Sequence, residues 1–143
     1  MTTSKYHGIK IVDIMTKTPL TVTPRDTIGQ ADEIMAENKI RQLPVVNGSE
    51  LRGIITDRDI RSFLSGSLRE TATRETALNA NVGDVMTTEP ITLAPDDGLE
   101  DAVELLIDEK IGGIPVVDKP EGLIGIITYV DVLRCFLTGL QED

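Results

Sequence analysis

The sequence is poor in aromatic residues and has a single cysteine, and both scarcities limit what the chain can do. Two tyrosines, two phenylalanines and no tryptophan make up 3% of the 143 residues. Proteins that bind single-stranded nucleic acid stack bases on aromatic side chains, so this composition argues against that class. Cys135 allows no intrachain disulfide, which is typical of a reducing compartment, and we expect its thiol to be buried and unreactive.

Positive charge is also scarce. The chain has 14 Lys and Arg against 24 Asp and Glu, which gives a net charge of −10. Surfaces that bind nucleic acid or anionic membranes need basic patches, so neither partner is expected. No apolar run approaches the roughly 18 residues of a membrane-spanning helix, and the N-terminus has no apolar secretory region. The sequence therefore predicts a cytoplasmic protein.

Motifs for catalysis and for metal binding are missing too. His7 is the only histidine and lies in a polar segment, where we expect a solvated side chain. No Cys/His cluster has the spacing of a metal site. There is no Gly-rich phosphate loop ending in Gly-Lys-Ser/Thr and no Gly-x-Ser-x-Gly elbow. We expect no catalytic residue, no metal and no resident cofactor, and hence no enzyme.

What the sequence does contain is an internal repeat. The segment "DIMTKTPLTVTPRD", which begins at Asp13, matches "DVMTTEPITLAPDD" at an offset of 71 residues. The match continues through "LPVV" and "IPVV", and one inserted residue then aligns "GIITDRD" with "GIITYVD" at an offset of 72. A repeat this regular indicates a duplicated folding unit. We predict a tail at 1–11, a first repeat at 12–66, a linker of some helical propensity at 67–81 and a second repeat at 82–143.

Each repeat has the pattern of a β-α-β-β-α unit. The first strand is expected in "PLTVTP" or "PITLAP", where flanking prolines suit a sheet margin. Asp26 and Asp97 are expected to cap the first helix, with Glu100 completing a capping box in the second repeat. The dipeptide at Asn47 is Asn-Gly, a strong hairpin signal. One unit of about 50 residues buries too little surface alone, so we expect the two repeats to pack together.

These segments, in this order and twice over, resemble the CBS domain, named for cystathionine β-synthase. The resemblance implies a mixed α/β (α+β) fold, with two repeats packed through their sheets about a pseudo-twofold axis. It also implies clefts between the repeats that bind adenosine-containing ligands, namely AMP, ADP, ATP, S-adenosylmethionine or NAD. Paired modules of this family commonly form dimers. We therefore expect a homodimer through the helices after Thr56 and Thr128, whose apolar faces include Phe63, Leu64, Leu133 and Phe136.

The start of the last helix in each repeat is a candidate ligand site. A carboxylate there accepts hydrogen bonds from both hydroxyls of a ribose, as the acidic residue of dinucleotide folds does. A threonine hydroxyl and unpaired backbone N–H groups at the same place suit a phosphate. Thr56 with Asp59, and Thr128 with Asp131, therefore form a candidate nucleotide grip. The same Thr-x-x-Asp pattern is also a helix cap, so capping alone is the alternative.

Further site residues are expected where glycine leaves the backbone uncovered and where the resemblance places the adenine. Gly53 and Gly125 leave room for a ligand to approach the backbone closely. The resemblance implies that backbone near "PLTV" and "RQLP" flanks the adenine. The residues expected there, with their matches in the second repeat, are Thr21, Leu43, Pro44, Thr92, Ile114 and Pro115.

The two sites are expected to differ because charge differs between the repeats. Residues 12–61 carry a net charge of −1, and residues 82–134 carry −9. Arg41 and Arg58 of the first repeat match Gly112 and Val130 of the second. Because arginine binds phosphate through paired hydrogen bonds, we predict that ligand phosphates lie against Arg41 and Arg58. The alternative is that both are solvated surface residues.

Two functions remain open. The first is a regulatory sensor that binds an adenosine nucleotide and changes the packing between its repeats or between protomers. The second is a ligand-free scaffold that dimerises or docks on a partner protein. Stabilisation of the protein by nucleotides is the observation that separates them.

Overall fold

The computed structural model describes residues 8–69 and 73–141, and these divide into two units. One unit spans Leu20–Pro90 and is called the central unit below. The other joins the chain up to Pro19 to the chain from Ile91 onward and is called the terminal unit. The segment that begins the first repeat in sequence is therefore part of the unit that holds the second repeat. The repeat limits read from the sequence stay a prediction, and His7 lies outside the described residues.

The central unit is built on an antiparallel sheet. Its strands have the order β2-β3-β4, and helices precede, join and follow them. The elements are helix α2 (Ile28–Asn38), strands β2 (Gln42–Asn47) and β3 (Glu50–Thr56), helices α3 (Asp57–Arg69) and α4 (Arg74–Leu78), and strand β4 (Thr87–Thr88). The short helix α4 falls in the predicted linker, whose helical propensity is thereby confirmed.

The terminal unit repeats the arrangement with its first strand drawn from the start of the chain. Its sheet has the order β1-β6-β5. The elements are helix α1 (Ile11–Ile14), strand β1 (Thr16–Lys17), helix α5 (Leu99–Asp108), strands β5 (Gly113–Asp118) and β6 (Gly122–Thr128), and helix α6 (Tyr129–Gln141). Strand β1 pairs with β6 in the register in which β4 pairs with β3.

The predicted hairpin at Asn47 is confirmed, but the predicted strand between the prolines is wrong. Gly48 has φ +64°, the conformation that favours glycine in a tight turn. Between Pro19 and Pro24, Val22 forms only an isolated parallel bridge with Val45. Proline has no N–H to donate, so flanking prolines confine this pairing to one residue. The regular short strands come earlier, at β1 and β4.

The predicted helix caps are wrong by one residue. Helix α2 begins after Thr27, whose hydroxyl accepts a hydrogen bond from Gln30 N at 3.1 Å. Asp26 instead accepts a bond from Thr23 N, at 2.8 Å, and so closes the preceding turn. In the terminal unit Asp97 closes the matching turn on Ala94 N. Asp101, not Glu100, accepts the N–H of Gly98 at the start of α5, at 3.0 Å.

Each unit has its own aliphatic core. The fully buried residues of the central core include Ile28, Leu43, Val45, Ile55 and Ile60, and those of the terminal core include Ile11, Ile114, Val116 and Ile127. Burial of such a side chain is worth about 1.5–3 kcal/mol, so the segment around Ile11 is held to the terminal unit by its packing.

The expectation of free apolar faces on both final helices is half wrong. Leu64 of α3 is buried and Phe63 packs against the central core. On α6, by contrast, Leu133 and Phe136 are 60% and 50% exposed. Only the α6 part of the predicted association surface therefore faces outward within its unit.

Candidate functional site

The two candidate sites lie where a strand of each sheet runs directly into a helix. Strand β3 ends at Thr56 and α3 begins with the next residue, while β6 and α6 meet in the same way after Thr128. The first N–H groups of a helix lack partners within the helix and carry its positive end, so they suit an anionic group. At α3 one of these groups, Asp57 N, donates to the carbonyl of Arg41 at 2.9 Å.

In the central unit, Thr56 and Asp59 cap α3 reciprocally. Thr56 N donates to Oδ2 of Asp59 at 3.0 Å, and Asp59 N donates to the Thr56 hydroxyl at 3.0 Å. The capping interpretation is thus confirmed in its geometry. A carboxylate can accept about four hydrogen bonds, and Asp59 accepts this one from the residues that the structure describes. Its Oδ1 keeps the capacity to accept hydrogen bonds from a ligand.

In the terminal unit, the equivalent carboxylate has no such spare capacity. Asp131 is 5% exposed, and its Oδ2 accepts from the N–H and hydroxyl of Thr128 at 2.9 and 3.1 Å. Its Oδ1 accepts from the hydroxyl of Thr16 at 2.9 Å. Arg134 Nη1 lies 3.5 Å from the same Oδ1 and forms an ion pair with it. Four donors from the protein therefore surround this carboxylate.

The arginines expected to meet phosphates lie beside the central site. Arg41 immediately precedes β2, Arg58 is the second residue of α3, and both are exposed. The bond from the α3 N-terminus to the Arg41 carbonyl holds these two segments together. Arg61, one turn further along α3, is instead paired with Asp57. The start of α3 therefore has two arginines, neither of which has a described acidic partner.

The residues expected to flank an adenine differ in accessibility. Thr21 is half-buried and Thr92 is exposed. The side chains of the other four, Leu43, Pro44, Ile114 and Pro115, are buried. The carbonyls of both prolines already accept hydrogen bonds, from Val22 N and from Leu93 N. The accessible side chains in this set are thus the two threonines.

The expectation that Gly53 and Gly125 admit a ligand is wrong. A Cβ atom at Gly53 would lie 2.5 Å from the carbonyl oxygen of Thr87. A Cβ atom at Gly125 would lie 2.5 Å from Sδ of Met15 and 2.9 Å from the carbonyl oxygen of Thr16. The space that a side chain would fill at Gly53 is occupied by β4 and the residue before it, and the space at Gly125 by β1 and the residue before it.

Sequence reasoning missed Thr16 and Arg134. Thr16 is 115 positions from Asp131, and the repeat pattern assigns the two residues to different copies. The available signal was that Thr16 recurs as Thr87, at an offset of 71 residues, so both copies carry a threonine as well as the Thr-x-x-Asp motif, which recurs at an offset of 72. Arg134 matches Ser62 and offered no such signal.

Two features looked for in other classes of protein are a metal site and a membrane-spanning helix. No group of three or more His, Cys, Asp or Glu in residues 8–69 and 73–141 is placed to hold a metal ion. Within the same residues, no helix has the length and apolar character needed to span a membrane.

Comparison with known proteins assigns the chain to a family. The sequence profile of the CBS domain matches residues 11–66 and 82–138. The protein MJ1225 of Methanocaldococcus jannaschii is 36% identical over 133 residues, which are 87% of this chain and 48% of MJ1225. Inosine-5'-monophosphate dehydrogenase of the same organism is 36% identical over 135 residues, which are 25% of that enzyme. The chain thus spans half or less of these relatives.

Solved structures share the whole fold. The structure of CBSX2 of Arabidopsis thaliana in complex with AMP matches with a TM-score of 0.79 and 32% identity, over 92% of this chain and 98% of that one. The CBS domain pair of MJ0100, solved with 5'-methylthioadenosine and S-adenosyl-L-methionine, matches with a TM-score of 0.74 and 28% identity. That match covers 91% of this chain and 97% of the other.

Proposed function

Because the chain belongs to the CBS domain family, we propose that it is a regulatory module that binds an adenosine nucleotide at the start of α3. The observation that carries the proposal is the Asp59 carboxylate, which is fixed by Thr56 and has an oxygen free of described donors. The presence of a single cysteine supports the cytoplasm as the proposed location. The solved relatives, with AMP, 5'-methylthioadenosine and S-adenosyl-L-methionine, support the class of ligand.

The adenosine part of the ligand is the part that Asp59 would recognise. AMP, 5'-methylthioadenosine and S-adenosyl-L-methionine share a ribose with two adjacent hydroxyl groups. A carboxylate can accept a hydrogen bond from each hydroxyl. Hydrogen bonds to a charged group are worth about 1.5–3 kcal/mol each, which is enough to select for a ribose. The cap from Thr56 holds the carboxylate in place before the ligand arrives, so little ordering is lost on binding.

The phosphate part of the ligand would lie against Arg41 and Arg58. Both arginines are exposed beside the N-terminal end of α3, where the helix dipole favours an anionic group. The matching positions of the terminal unit are Gly112 and Val130, which carry no charge. We therefore propose AMP, ADP or ATP as the ligand of the central site, ahead of S-adenosylmethionine or NAD.

Calorimetry and thermal unfolding with those five compounds test the proposal. Ligand at about 100-fold over Kd stabilises a protein by about 2.7 kcal/mol, so the melting temperature should rise by several degrees. Asp59→Asn retains an oxygen for the Thr56 cap but removes the charge, and it should weaken binding tenfold or more. The control Asp26→Asn changes a carboxylate that closes a turn and should leave affinity unchanged. No heat with any compound would contradict the proposal and favour the scaffold.

A specific observation also favours association with a second copy. Helix α6 exposes Leu133 and Leu137 at 60% and 58%. Beside them is an apolar groove of about 540 Å³, lined by Leu99, Val103, Val132, Leu133 and Phe136, with Glu100 and Glu104. Burial of apolar surface favours association by about 25 cal/mol for each Å², from which the entropic cost of association is subtracted. We propose that the protein is a homodimer through α6, whether or not it binds a nucleotide.

A further inference from the structure

Two threonines occupy the same place in the two units but differ in what they contact. Thr16 in β1 pairs with Ile126 of β6, and Thr87 in β4 pairs with Ile54 of β3. The hydroxyl of Thr16 donates to Oδ1 of Asp131 at 2.9 Å. No hydrogen bond joins Thr87 to Asp59 among the described side chains. The strand next to the helix start is therefore hydrogen-bonded to the candidate ligand carboxylate in one unit and not in the other.

A second difference acts on the same oxygen. Arg134 pairs with Asp131 from the next turn of α6, and its side chain is 68% exposed while that of Asp131 is 4% exposed. The matching residue of α3 is Ser62, which has no charge. The terminal carboxylate is thus paired with a cation and covered by the protein itself.

We propose that Thr16 and Arg134 close the terminal site, so that an adenosine ligand loads the central site alone until β1 moves away from Asp131. This inference rests on the proposed function, because it concerns the same type of site. A ribose needs acceptor capacity on the carboxylate, and all of it is used at Asp131. To bind there, the ligand must first displace a hydroxyl donor and a cation from a buried oxygen.

The closing element is small enough to move. Strand β1 has two residues and pairs with β6 at only two positions, Thr16 and Lys17. Both residues are exposed. Because only these two residues pair with β6, β1 can separate from it while Ile11 stays packed in the core of the unit. Substitutions that strengthen or weaken the contacts of β1 with β6 and Asp131 would thereby change the affinity of the terminal site.

The matched pair Thr16→Val and Thr87→Val tests the inference by titration with AMP. Valine retains the shape and the strand preference of threonine but cannot donate a hydrogen bond. At AMP concentrations that saturate the central site, we expect wild type and Thr87→Val each to bind one AMP per chain. Thr16→Val combined with Arg134→Ser should raise the affinity of the second site at least tenfold, so that two AMP bind. Two equal sites in wild type, or no change in the double variant, would overturn the inference while leaving the proposed function intact.

A second measurement needs no ligand. Thr16→Val should lower the melting temperature, because it removes a donor from a buried carboxylate, whereas Thr87→Val should not. Equal melting temperatures for the two variants would show that the Thr16 bond is not formed in solution and would overturn the inference by itself. Absence of AMP binding in wild type and in every variant would overturn the proposed function and this inference together.

Discussion

Met86 covers Gly53 so closely that a Cβ atom at residue 53 would lie 2.8 Å from its sulfur atom. The carbonyl oxygen of Thr87, in strand β4, would be closer still. Glycine at this position is therefore required for β4 to pair with β3. The same relationship holds between Gly125 and Met15 in the terminal unit, so the repeated glycines serve the sheet.

Gly53→Ala should destabilise the protein, since backbone atoms of β4 cannot yield to the new methyl group. Overpacking of this kind costs about 1–3 kcal/mol in the free energy of unfolding, which denaturant titration measures. Gly66→Ala is the matched control, because a Cβ atom there meets nothing within 4 Å. It lies in α3, where alanine is favoured over glycine by about 1 kcal/mol, so the control should be stabilised. Equal effects of the two changes would contradict the close packing.

Arg58→Ala and Arg41→Ala should weaken nucleotide binding by a factor that grows from AMP to ATP. Each added phosphate brings further negative charge, and arginine contributes paired hydrogen bonds to it. Calorimetric titration with adenosine, AMP, ADP and ATP measures the series. Arg52→Ala removes an exposed arginine that pairs with Glu50 and should leave all four affinities unchanged. Equal losses for adenosine and ATP would show that the arginines do not contact phosphate.

Ile11→Ala should lower the free energy of unfolding by about 2–5 kcal/mol, although Ile11 lies near the chain start. The residue is 0% exposed and belongs to the core of the terminal unit. Ile91→Ala removes the same atoms from a residue that is 39% exposed, so its cost should be smaller, at about 0.5 kcal/mol or less. Denaturant titration of both variants measures the difference. Similar losses would mean that the first segment does not pack as described.

Leu133→Glu together with Leu137→Glu should convert a dimer to a monomer, because two charges would be buried in the proposed α6 interface. Sedimentation velocity at micromolar concentration measures the change. Leu20→Glu alters a 48% exposed leucine that belongs to the central unit and not to helix α6, and it should leave the dimer intact. A wild-type protein that sediments only as a monomer would rule out this association.

Local features of the fold were predictable from the sequence because they depend on neighbouring residues. The turn at Asn47 and the start of a helix after Thr56 are set by turn chemistry and capping. The same local logic misplaced the cap of α2, since Asp26 and Thr27 are both good capping residues. The Asp26 side chain accepts a hydrogen bond from Thr23 N in the preceding turn, so Thr27 is the residue that caps α2.

For the candidate site too, some features depend on the sequence alone and others on the tertiary structure. The sequence by itself determined the family, the two Thr-x-x-Asp motifs and the difference in charge between the repeats. It assigned Thr16 to the first repeat, because an offset along the chain carries no information about which sheet a segment joins. Only the tertiary structure placed β1 beside β6 and the Thr16 hydroxyl on Asp131. The physical reason is long-range strand pairing, which brings residues 115 positions apart into contact. The Asp131 carboxylate therefore accepts a hydrogen bond from Thr16, and the Asp59 carboxylate has no such partner among the described residues.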